Sequence, residues 1–122
     1  MARILVIDDE ELFRKMLRQM LEMAGYEVLE AADGSHGIAL FREMPADLVI
    51  TDIFMPEKEG ISTIGELKRE FPNLKIIAVT GGGNKRRGFE YLQFAGKVGA
   101  DCTLSKPFER QEILDAVKKL LA

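Results

Sequence analysis

Three short runs of β-branched and aliphatic residues, Ile4-Leu5-Val6-Ile7, Leu48-Val49-Ile50 and Ile76-Ile77-Ala78-Val79, constrain this chain more than any other feature. Each is nearly continuous in apolar character, where a strand with one wet face would alternate. Such runs suit strands of a parallel sheet covered by helices on both faces. Glu27 to Ala31 and Cys102 to Ser105 read as two weaker strands, the first alternating as an edge strand does. Helical patterns fall between the runs. From Glu10 to Met23, Leu12, Phe13, Met16, Leu17, Met20 and Leu21 recur on one face, and Gly25 follows where a C-terminal cap belongs. Ser35 to Met44 predicts a second helix, stopped by Pro45, and Ile61 to Glu70 a third, stopped before Pro72. Phe89 to Val98 predicts a fourth, ending before Gly99. Glu109 to Leu121 predicts the last, with Ile113, Val117, Leu120 and Leu121 inward and Lys118 and Lys119 in its final turns.

Five strands alternating with five helices predict an α/β fold with right-handed crossovers. The expected architecture is a doubly wound, five-stranded parallel sheet in the flavodoxin-like order 2-1-3-4-5. The 122 residues suit one domain, 1-122, around one core. The net charge of -3 carries no concentrated basic face, so no nucleic-acid partner is expected. The basic run Lys85-Arg86-Arg87 reads as a solvated loop. No apolar run approaches the roughly 20 residues of a membrane span, and Met1 to Asp9 does not read as a leader. Cys102 is the single cysteine, which makes a reducing cytoplasm the expected compartment; it reads as a small buried strand residue. His36, the single histidine, reads as a surface residue of the second helix.

In such sheets ligands sit beyond the carboxyl ends of the strands, near the switch point between strands one and three. Strand one ends in Asp8-Asp9, followed by Glu10-Glu11; strand three ends in Asp52, strand four in Thr80, and strand five in Ser105-Lys106-Pro107. Carboxylates packed together repel unless compensated, and a hard divalent cation is the simplest compensation. Magnesium prefers oxygen ligands and uses one or two carboxylates beside a phosphate. Asp9 and Asp52 are expected to touch it directly, Asp8 through a water, with the backbone carbonyl of Phe54 helping. Helix N-capping would account for an acidic pair after strand one, with Glu10 and Glu11 favourable to the dipole, but not for Asp52. A carboxylate can be a nucleophile toward phosphorus, and Asp52 on the central strand is the best placed. Three carboxylates, one lysine and one divalent cation are neutral together, so the site can admit a phosphoryl group. Lys106 would pair with one phosphoryl oxygen and Thr80 would offer its hydroxyl to another, while Gly81 lets the backbone come close.

Asp8-Asp9, Asp52-Ile-Phe-Met-Pro56, Thr80-Gly81 and Lys106-Pro107-Phe108 together resemble the receiver domain of bacterial two-component response regulators, over essentially the whole chain. The resemblance implies phosphotransfer from a phosphohistidine of a sensor kinase, or from a phosphotransfer protein, to Asp52, with magnesium required. It implies a phosphoacceptor and not an enzyme, with at most slow self-dephosphorylation. It also implies a cis peptide between Lys106 and Pro107 that aims the lysine into the site, and a switch in which Thr80 moves toward the phosphoryl group. That motion would rearrange the face formed by helix four, strand five and helix five, where a target or a second copy would bind. Helix one and the loop around Phe108 would dock the kinase. Taken alone, the chain acts by protein contact as a shuttle, a sink or an allosteric binder.

Several positions depart from the family pattern. Thr103 stands three places before the lysine, where the family carries an aromatic switch residue. The stretch from Thr80 to Lys106 is longer than usual and opens with Gly81-Gly82-Gly83, which reads as a mobile loop and fits neither Gly-x-Gly-x-x-Gly nor a nucleotide P-loop. Phe89, Tyr91 and Phe94 cannot all face inward on one helix, so at least one is expected at a partner surface. Phe54 and Gly82 border the family's path for hydrolytic water, one obstructing it and the other leaving it open. Three rival readings fit less well. A flavin binder needs hydroxyls and amides where Asp8-Asp9-Glu10-Glu11 stands. A haloacid-dehalogenase-type phosphatase needs its nucleophile on strand one and a second Asp two places on. A pseudo-receiver, binding partners without phosphorylation, would have no need of the complete site.

Overall fold

The computed structural model describes residues 2–53, 60–81, 93 and 95–122. The chain runs β1 (Arg3–Ile7), α1 (Glu11–Met23), β2 (Glu27–Ala31), α2 (Gly34–Glu43), β3 (Leu48–Asp52), α3 (Gly60–Glu70), β4 (Lys75–Thr80), helical residues 95–98 (α4), β5 (Cys102–Ser105) and α5 (Arg110–Leu121). All strand pairs are parallel, and the order is β2-β1-β3-β4-β5, as the alternation of runs predicts. Phe89, Tyr91, Phe94, Lys85-Arg86-Arg87, Gly82 and Gly83 lie outside the described residues, as do Phe54, Met55 and Pro56.

The near-continuous apolar runs work because both faces of the sheet are covered. Along β1, Ile4 and Val6 face one layer while Leu5 and Ile7 face the other. The first layer packs Leu17 and Leu21 of α1 and Ile113 and Val117 of α5 against the sheet. The second packs Ile38 and Phe41 of α2, Ile64 and Leu67 of α3, and Ala95 of α4. Each fully buried aliphatic side chain is worth about 1.5–3 kcal/mol of transfer free energy, and the strands that carry the site are buried on both faces.

Three expectations need correction. The apolar stripe of α1 is wider than the surface the sheet offers it. Leu17 and Leu21 are buried, and Phe13 and Met20 are half-buried. Leu12 (88% exposed), Met16 (46%) and Met23 (68%) face outward. In α5, Ile113 and Val117 are buried, whereas Leu120 and Leu121 are half-buried at the fraying end. Cys102 is half-buried, because β5 is an edge strand; burial pushes its thiol pKa up. Thr103, on the same strand, is exposed. Gly25 has a φ of +97°, so its place after α1 is one an L side chain rarely adopts.

His36 is exposed, yet it works with a cap. Asp33 accepts the His36 amide at 2.8 Å and lies 2.6 Å from its Nδ1 through the other carboxylate oxygen. The amide bond holds the Asp33 carboxyl below its usual range, against an opposing push from burial, and the ring adds to the lowering. Replacing Asp33 by Ala is expected to cost about 1 kcal/mol. A carboxyl lowered in the folded state contributes stability above its unfolded pKa, about 4, and loses it on acidification toward the folded value. The gap in urea midpoint between parent and D33A should therefore hold at neutral pH and close in acid.

Candidate functional site

Parallel strands β1, β3 and β4 end at one edge, and their last residues form the floor of the site. Asp8, immediately after β1, is 2% exposed, while Asp52 and Thr80, the ends of β3 and β4, are 5% exposed. Ladder bonds continue past the strands to hold these ends: the Asp8 amide donates to the Ala31 carbonyl at 3.1 Å and the Ile53 amide to the Val79 carbonyl at 3.0 Å. From β5, the Lys106 amide donates to the Thr80 carbonyl at 2.6 Å. The Lys106–Pro107 bond is cis.

The Lys106 ammonium donates to Asp8 Oδ2 and Asp52 Oδ2, both at 3.0 Å, and lies 3.5 Å from Glu10 Oε1. Its aliphatic stem crosses Gly81, where an added Cβ would stand 2.8 Å from Lys106 Cβ and 2.9 Å from its Cγ. Gly81 is thus the opening through which the lysine reaches the carboxylates. Burial alone would lower the ammonium's pKa, but the charges of Asp52 and Asp8 and their hydrogen bonds outweigh it and hold it above the usual lysine value. The cation therefore stays charged throughout the physiological range.

One carboxylate oxygen each from Asp8, Glu10 and Asp52 lies within 4.8 Å of the others, a set that could hold a metal ion. Carboxylate oxygens are the ligand type that a hard divalent cation takes. Asp9 is not in this group and is exposed. The reason is local: Asp8 Oδ1 accepts the Glu10 amide at 2.8 Å, and this tight turn into α1 sends Asp9 outward and Glu10 back over Lys106. The Phe54 carbonyl lies outside the described residues. Thr80 Oγ1 is buried and has no hydrogen-bond partner among the described residues. A buried hydroxyl without a partner costs about 1–3 kcal/mol, and this one sits at the end of β4, on the edge of the sheet where β3 ends in Asp52.

Sequence reading missed two supports. Glu10 appeared only as a dipole-favouring acid. Arg14, unremarked among the polar positions of α1, donates through Nη1 to the Asp8 carbonyl at 2.8 Å and through Nε to Glu30 at 2.9 Å. Glu30 also takes Arg18 at 2.7 Å. Burial pushes the Glu30 carboxyl up, but Arg18, Arg14 and Lys15 outweigh it and hold it below the usual range. The acidic turn is therefore braced from behind. The available signal was a charged residue, Glu30, set inside an apolar strand opposite a basic helix face.

The family model for the response regulator receiver domain matches residues 4–118. The chain is 35% identical over 119 residues to the chemotaxis protein CheY of Thermotoga maritima, covering 97% of this chain and 96% of that one. It is also 35% identical to the transcriptional regulatory protein CpxR of Klebsiella pneumoniae, over 99% of this chain but 50% of that one. Among solved structures, a response regulator receiver domain protein from Clostridium thermocellum superposes with a TM-score of 0.90 at 34% identity, covering 99% of this chain and 94% of that one.

Proposed function

The chain belongs to the response regulator receiver domain family, and from that premise we propose that Asp52 is its phosphoacceptor and that Thr80 and Lys106 bind the phosphoryl oxygens. The observation that carries this assignment is the buried Asp52 carboxylate paired with Lys106, at the sheet edge where the Thr80 hydroxyl is buried without a partner among the described residues. In the transfer, an Asp52 carboxylate oxygen forms a bond to phosphorus while the bond from phosphorus to the donor's imidazole nitrogen breaks, the two in line. Lys106 exchanges its contact with Asp52 Oδ2 for a phosphoryl oxygen and keeps Asp8. Thr80 donates its hydroxyl to another oxygen, which ends its isolation and draws β4 toward the site.

Magnesium would be held by Asp52 and the acidic turn Asp8-Asp9-Glu10, with the Phe54 carbonyl, expected from the sequence, as a further ligand. When bound it supplies positive charge to the phosphoryl oxygens. The whole chain, residues 1-122, works as one receiver unit in the cytoplasm, a phosphoacceptor with no metabolite to turn over. The sensor kinase or phosphotransfer protein docks on α1 and the connection around Phe108, a reading supported by the outward-facing Leu12 and Met16. A target, or a second copy, reads the α4–β5–α5 face. Among the described residues no helix is long and apolar enough to cross a membrane.

The test is incubation with acetyl phosphate, with and without magnesium, followed by intact mass and peptide mapping. The expected result is a single magnesium-dependent phosphoryl on the peptide carrying Asp52. No adduct, together with no binding of beryllofluoride, would transfer the function to phosphorylation-independent partner binding.

A further inference from the structure

Three carboxylates surround the Lys106 ammonium, and an aromatic face completes its surroundings. Its Nζ lies 3.8 Å from the centroid of the Phe13 ring. Phe13 reaches this position from α1, the helix that begins at the acidic turn. Its ring is met edge-on by Phe108, with centroids 5.8 Å apart and planes at 78°. Phe108 follows the Lys106-Pro107 pair directly, so the lysine and the ring that orients its aromatic neighbour come from one short stretch of chain. The aliphatic stem is confined against Gly81. The side chain is thus held by different means along its length: backbone against the stem, carboxylates and a π-face at the ammonium.

The π-face differs from the carboxylates in what it does during transfer. A carboxylate competes with the incoming phosphoryl oxygens for the same N–H donors. An aromatic face attracts the cation through its quadrupole and occupies no donor in particular. It can hold Nζ in place while the hydrogen bond to Asp52 is exchanged for one to phosphorus-bound oxygen. A leucine at this position would fill similar space without attracting the charge.

We propose that Phe13 is a positioning residue for Lys106: its ring, set by Phe108, keeps the ammonium on the axis between Asp8 and Asp52 while the phosphoryl group arrives. This rests on the reading of Asp52 as phosphoacceptor. The role acts on preorganised charge, so its loss slows transfer without emptying the metal site.

The experiment compares the parent with Phe13→Leu, Phe13→Tyr and Phe108→Leu. It measures the rate of adduct formation from acetyl phosphate, the magnesium affinity by calorimetry, and the proton shift of the Lys106 ε-methylene, which a ring this close moves upfield. F13L is expected to slow phosphorylation about two- to thirtyfold and to abolish the upfield shift, with magnesium affinity unchanged. F13Y, which keeps the face, should restore both rate and shift, and F108L should fall between. An F13L variant with parental rate overturns the proposal, as does an F13Y variant as slow as F13L, which would make volume the operative property. If the parent takes no phosphoryl at all, the phosphoacceptor reading fails first. The ε-methylene shift still reports the Lys106–Phe13 contact by itself, so the two failures are told apart.

Discussion

Asp52→Asn is expected to abolish phosphoryl uptake and to remove about half of the stabilisation that magnesium confers, while leaving the metal-free protein folded. The chemical half follows from the nucleophile: an amide oxygen carries no charge to direct at phosphorus. The thermodynamic half follows from the cluster. One oxygen each from Asp8, Glu10 and Asp52 lies within 4.8 Å of the others, and Lys106 offsets only part of that charge. A ligand that binds only the folded state stabilises it by about 2.7 kcal/mol at a hundred times its Kd. If losing one carboxylate weakens binding about tenfold, the same magnesium concentration gives the variant about 1.4 kcal/mol. Without magnesium the substitution removes a repulsion and also one of two 3.0 Å partners of Lys106, and Asp8 keeps the other. These effects oppose each other, so unfolding stability should stay within about 1 kcal/mol of the parent. Melting curves across a magnesium titration, read beside intact mass, check both halves. An adduct that persists in D52N would move the acceptor to another carboxylate of the cluster.

The parts of this molecule that were legible in the sequence are those where one residue type has one physical use. Ile4 to Ile7, Leu48 to Ile50 and Ile76 to Val79 had to be doubly covered strands, and sheet order and the gathering of Asp8, Asp52, Thr80 and Lys106 followed from topology. What stayed hidden depended on directions that periodicity does not encode. Leu12 and Met16 lie to one side of the stripe that Leu17 and Leu21 bury, and counting apolar positions does not say how wide a stripe the sheet covers. That Glu10 comes close to Lys106 and the buried carboxylates depends on the turn after β1, where the Glu10 amide donates to Asp8 Oδ1. The contacts of Arg14 with the Asp8 carbonyl and of Phe13 with Lys106 join residues by the orientation of α1 on the sheet, which follows only after the core is packed.

Gly60→Ala is expected to be the most damaging single methyl in the described part of the chain. Gly60 is the first residue of α3 and is buried, and its amide donates to the Ile53 carbonyl at 3.3 Å. A Cβ at this position would collide with the Asp52 carbonyl oxygen and stand 2.5 Å from Ile53 Cα and 2.8 Å from the Asp52 carbonyl carbon. None of these atoms can rotate away, because they are backbone at the end of β3, a strand paired on both sides. Overpacking of this kind costs about 3 kcal/mol, and the strain falls on the residue that carries the nucleophile. Two other glycines calibrate the effect. At Gly37 the added Cβ meets the side chain of Ile7, which can shift, so the cost should be nearer 1 kcal/mol. At Gly96, helical and exposed with nothing within 4 Å, alanine should stabilise by about 0.5–1 kcal/mol. Chemical denaturation of the three variants checks the order. Well below the melting temperature of G60A, where the protein is still folded, its rate of phosphoryl uptake should fall by about a hundredfold, the loss that a displacement near 1 Å produces in a positioned reaction. A G60A protein as stable and as reactive as the parent would mean that the end of β3 yields freely. Asp52 would then owe its placement to Lys106 and the acidic turn rather than to the packing of α3 against its backbone.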